Sequence, residues 1–366
     1  MSHRSLTVQV GAVTVGGGAP VSVQSMTNTR TDDWRSTLRQ IRRLERAGCE
    51  IVRVAVPDRR AADALPEIRR RTAMPLVADV HFDYRLALAA LAAGFDKVRI
   101  NPGNIGAEWK VQEIIRAAMD ADKAIRVGVN SGSVEKTVLG KHGRASPEAL
   151  VESLEKSLKP FEQLKFKSIV LSAKTANGPD AIATSRLIAQ RFRYPQHLGL
   201  TEAGLALEGA VRSAAVLGTL LAEGIGDTIR VSLAADPARE VEVAYELLAA
   251  LGLRQRGPLV IACPTCGRTR IDVVGLTKKV KAALRSGIRP VRPTRPIRVA
   301  VMGCVVNGPG EAREADFAIC GGNGRGAIYV KGRHVRTVPE SKLVAELMKE
   351  IASAEGSRRT KSEAGS

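Results

Sequence analysis

Hydrophobic and polar positions follow one repeating pattern from Pro20 to Gly252, in which a short β-branched run leads into a polar turn and then an amphipathic helix. Such runs are typical of buried strands, and several of the helical stretches end on a glycine suited to a C-cap. Eight repeats of this unit predict an α/β fold of the (β/α)8 TIM-barrel type. The predicted strands are residues 20–26, 50–56, 75–81, 97–101, 124–130, 168–174, 195–201 and 228–234.

A doubly wound sheet is the alternative arrangement of alternating strands and helices. It is disfavoured because neither GxGxxG nor GxxxxGK[ST] follows any predicted strand. The glycine cluster at residues 16–18 precedes a strand instead. The barrel is therefore the preferred prediction.

The pattern changes after Gly257. The segments that follow are a strand LVIAC, a helix at about 272–287, a Pro/Arg-rich linker RPVRPTRP, a strand IRVAVMG, a hairpin AIYVKGRHVRTV and a helix PESKLVAELMKEIASAE. This order predicts a small α+β domain. The predicted division is a barrel at 1–256, a second domain at 257–355 and a disordered, low-complexity tail at 356–366.

The barrel strands carry polar residues at positions that are expected to face inward. Val52, Val54 and Val56 must face the outer helices, which turns Arg53 into the barrel. Barrel interiors are normally filled by Val, Ile and Leu, and polar residues near the carboxyl ends of the strands are typical of TIM-barrel active sites. The same parity predicts as inward-facing Gln24, Met26, Asn28, Asp79, His81, Arg99, Asn101, Arg126, Asn130, Ser172, Lys174, His197, Thr201, Arg230 and Ser232.

Positive charge exceeds negative charge at the predicted site. Uncompensated charge is costly in a low-dielectric interior, so a bound polyanion is favoured over internal pairing. The forked donor geometry of arginine favours phosphate. The two interior histidines are equally compatible with wall residues and with acid–base groups, and no His-x-His pair predicts zinc there. The cations are Arg53, Arg99, Arg126, Lys174 and Arg230, the carboxylates are Asp79 and Glu202, and the histidines are His81 and His197.

Composition and charge narrow the class of protein. The 366 residues are 44% hydrophobic and 25% charged, as in an ordinary soluble globular protein. Aromatic residues make up 3%, which disfavours base stacking on single-stranded nucleic acid. The net charge is +19, and residues 257–366 hold 20 Lys and Arg against 9 Asp and Glu, so an anionic partner is expected. Neither a membrane span nor a signal peptide is recognisable, so we expect a cytoplasmic protein with no membrane partner.

The five cysteines suggest a metal or redox site rather than a disulfide framework. Cys263 and Cys266 form a CPTC loop, and Cys304 adds a third thiolate. The fourth ligand of a zinc or iron–sulfur site is left open between Cys320, which spacing alone favours, and Glu311. Radical chemistry with S-adenosylmethionine is disfavoured because its CxxxCxxC spacing is absent.

Long segments of the chain resemble a known family. They are VQSMTNTRTDD (23–33), VADVHFDYRLAL (77–88), RINPGNIG (99–106), HLGLTEAG (197–204), EGIGDTIRVSLAADP (223–237), ACPTCGRT (262–269) and MGCVVNGPGEA (302–312). Together, from about residue 7 to 350, they resemble the bacterial 4-hydroxy-3-methylbut-2-enyl diphosphate synthases, the iron–sulfur enzymes of the methylerythritol phosphate route to isoprenoids. The resemblance implies an oxidoreductase that opens and dehydrates 2-C-methyl-D-erythritol 2,4-cyclodiphosphate in the barrel, with two electrons delivered through a 4Fe–4S cluster.

The resemblance also implies roles for individual residues. The cluster ligands would be Cys263, Cys266, Cys304 and Glu311, which reverses the preference for Cys320 that spacing gave. Cys320 and Cys49 are then small core residues. Candidate proton donors are Glu202, with His81 nearby, although a salt bridge from Glu202 to a barrel arginine is the alternative. Asn307 would touch the substrate or simply form a turn.

The resemblance further implies a head-to-tail homodimer in which the cluster of one subunit caps the barrel of its partner. Flavodoxin or ferredoxin would be the electron donor, attracted by the basic second domain. No nucleic-acid partner is expected. The competing interpretations are a phosphate-binding barrel with a zinc-bearing, nucleic-acid-binding C-terminal module, and a pterin-diphosphate barrel transferase without metal.

Overall fold

The computed structural model describes residues 5–287, 297–306 and 308–363 of the chain. The chain divides into two compact units, Met1–Arg254 and Gln255–Ser366. This division lies two residues before the boundary that the sequence predicted. The basic linker RPVRPTRP lies outside the described residues.

A short hairpin opens the first unit. Strands β1 (Val8–Val10) and β2 (Val13–Val15) pair antiparallel around Gly11, whose φ is +56°. The hairpin valines form an apolar cluster with Ile51, Val77, Ala124 and Val170. These four residues share the inward parity of the barrel strands, so the hairpin packs on an apolar floor at the amino ends of the strands. The sequence analysis missed this hairpin, although the alternation in VQVGAVTV was its signal.

Eight parallel strands form the sheet of the first unit, in the order β8-β7-β6-β5-β4-β3-β10-β9. A parallel bridge between Leu171 and Gln196 joins β8 to the start of β9, so the ring closes as the TIM-barrel prediction requires. The strands are β3 (Ser22–Met26), β4 (Ile51–Ala55), β5 (Leu76–Asp79), β6 (Lys97–Ile100), β7 (Ala124–Asn130), β8 (Ile169–Lys174), β9 (His197–Leu198) and β10 (Thr228–Ile229).

Helices cover the outside of the barrel and are capped by the polar turns seen in the sequence. Asp33, Asp58 and Asp83 each accept a hydrogen bond from a backbone N–H in the first turn of the helix that follows. The helices are α1 (Trp34–Ala47), α2 (Arg59–Arg69), α3 (Tyr84–Ala92), α4 (Pro102–Ile105), α5 (Glu108–Asp120), α6 (Lys136–His142), α7 (Pro147–Gln163), α8 (Gly178–Arg191), α9 (Ala206–Ala222) and α10 (Pro237–Ala250), with a 3-10 turn at Ser131–Ser133.

The second unit is an α+β domain, as the sequence predicted, and it contains a five-stranded mixed sheet with helices. Its order is β11-β12-β13-β14-β15, with the first three strands parallel and the last two forming the predicted hairpin. The elements are β11 (Leu259–Ala262), α11 (Val273–Gly287), β12 (Arg298–Met302), α12 (Gly308–Glu314), β13 (Phe317–Gly322), β14 (Arg325–Val330), β15 (Arg333–Pro339), a 3-10 turn at Glu340–Lys342 and α13 (Leu343–Glu363).

Two expectations differ from the structure. Strands β9 and β10 are two residues long each, whereas the sequence predicted 195–201 and 228–234. At the carboxyl end of β9, Gly199 approaches Lys174 and Arg230 so closely that a Cβ there would lie 2.7 Å from the Lys174 Nζ. The predicted disordered tail is replaced by α13 as far as Glu363, because Arg, Lys and Glu in this segment are good helix formers.

Candidate active site

A buried ion-pair network occupies the inside of the barrel at the ends of β4, β5 and β6. The Arg99 Nη1 donates to Asp79 Oδ1 at 3.1 Å, and the Arg53 Nε lies 3.6 Å from Asp79 Oδ2. All three residues are buried. Burial alone would raise the pKa of Asp79, but the attraction of Arg53, Arg99 and Arg126 outweighs it and holds that pKa well below its usual range. Asp79 is therefore a fixed negative charge between two guanidinium groups.

His81 lies at the rim of this network, with its side chain 41% exposed. The Arg99 Nη1 is 2.8 Å from His81 Nε2, and because an arginine only donates, this contact favours a neutral imidazole whose Nε2 accepts. Burial, followed by repulsion from Arg99, lowers the pKa of His81, which agrees with the neutral form. A neutral imidazole at this position can accept a proton but has none to spare on Nε2.

A second buried carboxylate beside the barrel arginines comes from Glu240 on α10, which the sequence analysis missed. Glu240 accepts two hydrogen bonds from Arg230, at 3.0 and 2.9 Å, and one from Ser25 Oγ at 2.8 Å. It is 2% exposed. Its signal was the phase it shares with buried Val241 and Ala244 on a short helix. Glu240 therefore takes the charge-balancing role that the sequence analysis gave to Glu202.

Glu202 lies at the surface rather than inside the barrel. Strand β9 ends at Leu198, and the chain then turns, with Glu202 exposed and at φ +55°. None of the ion pairs found among the described residues includes Glu202, so the salt bridge to a barrel arginine is not formed in this structure. Its carboxylate is in reach of solvent.

Four basic side chains inside the barrel have polar atoms without a hydrogen-bond partner among the described residues. The atoms are Lys97 Nζ, Arg99 Nε, Arg126 Nε and Nη1, and both ring nitrogens of His197. Burial, then repulsion from Arg53 and Arg99, lowers the pKa of Arg126. Burial, then repulsion from Lys174 and Arg126, lowers the pKa of His197 far enough to keep it neutral. Buried polar atoms left unpaired in this way indicate that the interior is built to receive another polar group.

Lys174 and two asparagines complete the polar interior near the carboxyl ends of the strands. Burial, then repulsion from Arg126, lowers the pKa of Lys174 well below its usual value. Asn101 Nδ2 donates to Ser133 Oγ at 2.9 Å, and Ser133 Oγ donates to the Asn130 carbonyl at 3.0 Å. Ser133 thus fixes both asparagines, and the sequence analysis did not single it out.

The remaining predicted barrel residues differ in exposure. Ser172 is buried, whereas Thr201 and Ser232 are half-buried. Asn28 is exposed, and its Oδ1 accepts from Gln40 Nε2 at 2.6 Å. The structure therefore ties the Asn28 side chain to Gln40 of α1.

In the second unit, the cysteine loops follow neighbouring parallel strands. Cys263 comes directly after β11, and Cys304 lies two residues after β12. The Gly303 N–H donates to the Cys263 Sγ at 3.1 Å, and the Cys263 N–H donates to the Val301 carbonyl at 3.1 Å. The two loops are thus joined beside the thiols. Cys266 is exposed, and Cys263 and Cys304 are half-buried.

Cys320 lies inside the sheet on β13, where it is 1% exposed. Burial, followed by the nearby thiols of Cys304 and Cys263, raises the pKa of Cys320 to about 12. Cys320 packs in an apolar cluster with Ala300, Met302 and Ala318. Cys49 is buried in the barrel core, where burial raises its pKa to about 12 as well.

The loops that carry Cys263 and Cys304 lie at one edge of the sheet of the second unit. The carboxyl ends of β11 and β12 lie at one edge of the sheet, which brings the CPTC loop and the Cys304 loop together, and the backbone of Glu311 follows on α12. The side chain of Glu311 and all of Asn307 lie outside the described residues. Within the described part, no three His, Cys, Asp or Glu side chains already converge as they would around a metal ion.

Comparison with known proteins assigns both units to one family. The description "GcpE TIM-barrel domain" matches residues 5–245, and "GcpE protein C-terminal domain" matches residues 259–353. A relative from Thermodesulfovibrio yellowstonii is 51% identical over 344 residues, covering 94% of this chain and 97% of the relative. One from Geobacter sulfurreducens is 50% identical over 351 residues, covering 96% and 98%. Both are named 4-hydroxy-3-methylbut-2-en-1-yl diphosphate synthase (flavodoxin).

Solved structures similar to this chain include dihydropteroate synthases. That of Yersinia pestis has a TM-score of 0.48 at 12% identity and covers 69% of this chain and 98% of its own. That of Vibrio fischeri has a TM-score of 0.48 at 13% identity and covers 68% and 99%. At these values the likeness carries no argument about function. None of the helices in the described ranges is long and apolar enough to span a bilayer.

Proposed function

Since this chain belongs to the GcpE family, we propose that it is a 4-hydroxy-3-methylbut-2-enyl diphosphate synthase of isoprenoid biosynthesis. The reaction is the reductive ring opening and dehydration of 2-C-methyl-D-erythritol 2,4-cyclodiphosphate. Two electrons and two protons enter, the ring C–O bond to phosphate breaks, and one hydroxyl leaves as water. The observation that carries the assignment is a barrel interior in which cations outnumber carboxylates, because a cyclic diphosphate is the kind of anion that such an interior needs.

The barrel binds and orients the diphosphate. Arg53, Arg99 and Arg230 already share Asp79 and Glu240, whereas Arg126 has donors free for phosphate oxygens. These fixed positive charges stabilise the negative charge that grows on the phosphate as the C–O bond breaks. The neutral hydroxyl and amide groups proposed to orient the substrate are Asn28, Asn101, Asn130, Ser172, Thr201, Ser232 and Asn307, with Lys174, His197 and His81 beside them.

The proposed cofactor is a 4Fe–4S cluster held by Cys263, Cys266, Cys304 and Glu311. The joined CPTC and Cys304 loops support this ligand set, and the burial of Cys320 among apolar side chains supports its exclusion. When bound, such a cluster supplies the electrons of the reaction. These residues would hold it at one edge of the sheet, where the Gly303 N–H donates to the Cys263 Sγ.

Proton supply is assigned to Glu202, with His81 as the neighbouring group. Glu202 is exposed and so can be reprotonated from solvent between turnovers. His81 is neutral and accepts a hydrogen bond from Arg99. We assign it the holding of a proton at the barrel rim. Both roles are supported by exposure and hydrogen bonding alone.

Flavodoxin is the proposed electron donor, as in the names of the relatives, and ferredoxin is the alternative. The excess of basic residues in 257–366 supports docking of an acidic protein. A head-to-tail homodimer and a cytoplasmic location are also proposed. The zinc-bearing, nucleic-acid-binding interpretation is not favoured, because both family domains match this chain.

Anaerobic purification and a turnover assay test the assignment. We expect brown protein with broad visible absorption that converts the cyclic diphosphate to the linear allylic diphosphate with a chemical reductant. Glu311→Ala should abolish turnover, whereas Cys320→Ser should retain iron content and activity, because a buried protonated thiol is not a ligand. Colourless, zinc-containing protein would refute the proposal. Loss of the cluster in Cys320→Ser would show that the ligand set is wrong.

A further inference from the structure

We propose that Lys97 is a positioning residue of the anion site, neutral before the anion binds and protonated afterwards, so that diphosphate binding is coupled to proton uptake at Lys97. The proposal rests on the proposed function only in taking a diphosphate as the anion. Lys97 acts through the arginines and has no assigned contact with substrate.

Lys97 lies on the inner face of the barrel, one step deeper than Arg99. It begins β6 and is paired with Val77 on one side and Ala124 on the other. Both neighbours belong to the apolar floor on which the hairpin packs. Lys97 is 0% exposed, and its Nζ has no hydrogen-bond partner among the described residues.

The interior carboxylates are already committed to other cations. Asp79 pairs with Arg53 and Arg99, and Glu240 pairs with Arg230. No described carboxylate is left for Lys97. The charged groups that act on Lys97 are Arg126 on β7 and Arg53 on β4, and His197 on β9 is the neighbouring titratable group.

An amine in these surroundings sheds its proton more easily than usual. A buried, unpaired ammonium is costly, and the group neutralises instead. Burial, then repulsion from Arg126 and Arg53, lowers the pKa of Lys97 to about 7. A diphosphate entering the same interior adds negative charge close to these arginines, offsets their repulsion and raises that pKa again.

Anion binding and protonation of Lys97 favour each other. Because the bound anion raises the pKa of Lys97, the complex holds more protons than the free protein above pH 7. Affinity is then highest below pH 7 and falls as the pH rises, by up to about tenfold per unit for this one group. Lys174 and His197 can contribute protons of their own, so only the difference between wild type and a Lys97 variant isolates Lys97.

Calorimetry with inorganic pyrophosphate measures this difference on the full-length protein. Titrations at pH 8 in buffers of different ionisation enthalpy give the protons taken up per anion bound. We expect Lys97→Met to take up about one proton fewer than wild type on binding the anion. Between pH 7 and 9, its affinity should fall by about tenfold less per pH unit than the affinity of wild type. Lys123→Met, which removes a partly exposed lysine paired with Asp96, is the matched control and should behave as wild type.

Lys97→Gln provides a second variant, because it keeps a polar group of similar length without a titrating amine. Unchanged proton uptake in both variants would overturn the proposal, and so would failure of both to fold, which would assign Lys97 a structural role. Wild type that binds no pyrophosphate would also overturn it. Turnover assays with the cyclic diphosphate separate the two proposals. If proton uptake depends on Lys97 but the cyclic diphosphate is not converted, the proposed reaction is refuted and the role of Lys97 is not.

Discussion

At the scale of single residues, the barrel interior separates cations that have a partner from cations that do not. Arg53 and Arg230 each contact a buried carboxylate, whereas Arg126 is 1% exposed and has two nitrogen atoms unpaired among the described residues. An unpaired buried charge destabilises the protein that holds it, unless a ligand compensates. The unpaired nitrogens of Arg126 therefore support its proposed role in binding rather than a role in folding.

Replacing Arg126 by Leu should therefore weaken anion binding without unfolding the barrel. Loss of one partner of a buried charged pair costs about 2–5 kcal/mol, so the dissociation constant for the cyclic diphosphate should rise at least tenfold. The melting temperature should stay constant or rise, because a buried uncompensated charge is removed. Arg116→Leu, at an exposed pair with Glu113, is the control. A collapse of the melting temperature with unchanged affinity would identify Arg126 as structural.

Asp79 is the opposite case, because it is the carboxylate that two buried arginines require. Asp79→Asn should destabilise the protein at pH 7 by about 3–5 kcal/mol, since it leaves Arg53 and Arg99 without their partner. Asp79 has a lowered pKa, so its contribution is present above the ordinary carboxyl range and is lost as the pH falls below about 4. Urea unfolding at pH 7 and at about pH 2.5 measures this loss.

The control for this prediction is Asp63→Asn, which disturbs an exposed pair with Arg59. It should cost less than about 1 kcal/mol at either pH. An Asp79→Asn variant as stable as Asp63→Asn would contradict the role of Asp79 as a buried counter-ion.

The sequence predicted the inward cations by strand parity but not the charges supplied from outside the strands. Because side chains alternate strictly between the two faces of a strand, the pattern predicted that Arg53, Asp79 and Arg99 all face into the barrel. Glu240 comes from the outer helix α10, and no pattern along the strands reports its contact with Arg230. Lys97 alternates in step with Arg99, yet it lies at the very start of its strand, where no pattern indicates full burial.

At the scale of secondary-structure elements, hydrophobic periodicity located all eight barrel strands and the order of the second unit. It overestimated β9 and β10, because residues after these strands stay buried without belonging to the hydrogen-bonded ladder. Val231 is 0% exposed, for example, although β10 ends at Ile229. Burial and strand pairing are different constraints, and only the first leaves a clear pattern in the sequence.

In the second unit, the loop after β12 packs closely against its neighbours at Gly303. A Cβ on Gly303 would lie 2.8 Å from Val273 Cγ2 and 3.0 Å from Thr269 Cγ2. Thr269 Oγ1 accepts from the Cys266 N–H at 3.0 Å, so a displaced Thr269 would also disturb the CPTC loop. Gly303 therefore sets the spacing between the two cysteine loops.

Gly303→Ala should lower iron content and visible absorbance per chain without unfolding the second unit. Its added methyl group forces apart the loops that carry Cys263 and Cys304. Gly267→Ala is the matched control, because a Cβ at Gly267 meets nothing within 4 Å. Iron analysis, visible absorption and far-ultraviolet circular dichroism measure the outcome. Equal iron content in both variants would show that the close approach at Gly303 does not control the cluster.

At the scale of the whole molecule, the anion-binding residues and the thiols belong to different units of the chain. The arginine network lies within Met1–Arg254, and Cys263, Cys266 and Cys304 lie within Gln255–Ser366. Strand parity and cysteine spacing describe each unit separately. Whether a barrel shares an active site with the thiols of its own chain or with those of a partner subunit depends on the assembly. No pattern along one chain determines it.

The proposed head-to-tail dimer makes a complementation prediction. Arg126→Leu and Cys263→Ser are each expected to be inactive, but a heterodimer of the two combines one intact barrel with one intact cluster site. Random exchange of equal amounts should then restore about a quarter of wild-type activity, since about half of the dimers are mixed and each has one working site. A mixture of Arg126→Leu with Arg99→Leu is the control and should stay inactive, because both changes fall in the barrel. Mixed dimers confirmed by mass spectrometry but without activity would rule out an active site shared between subunits.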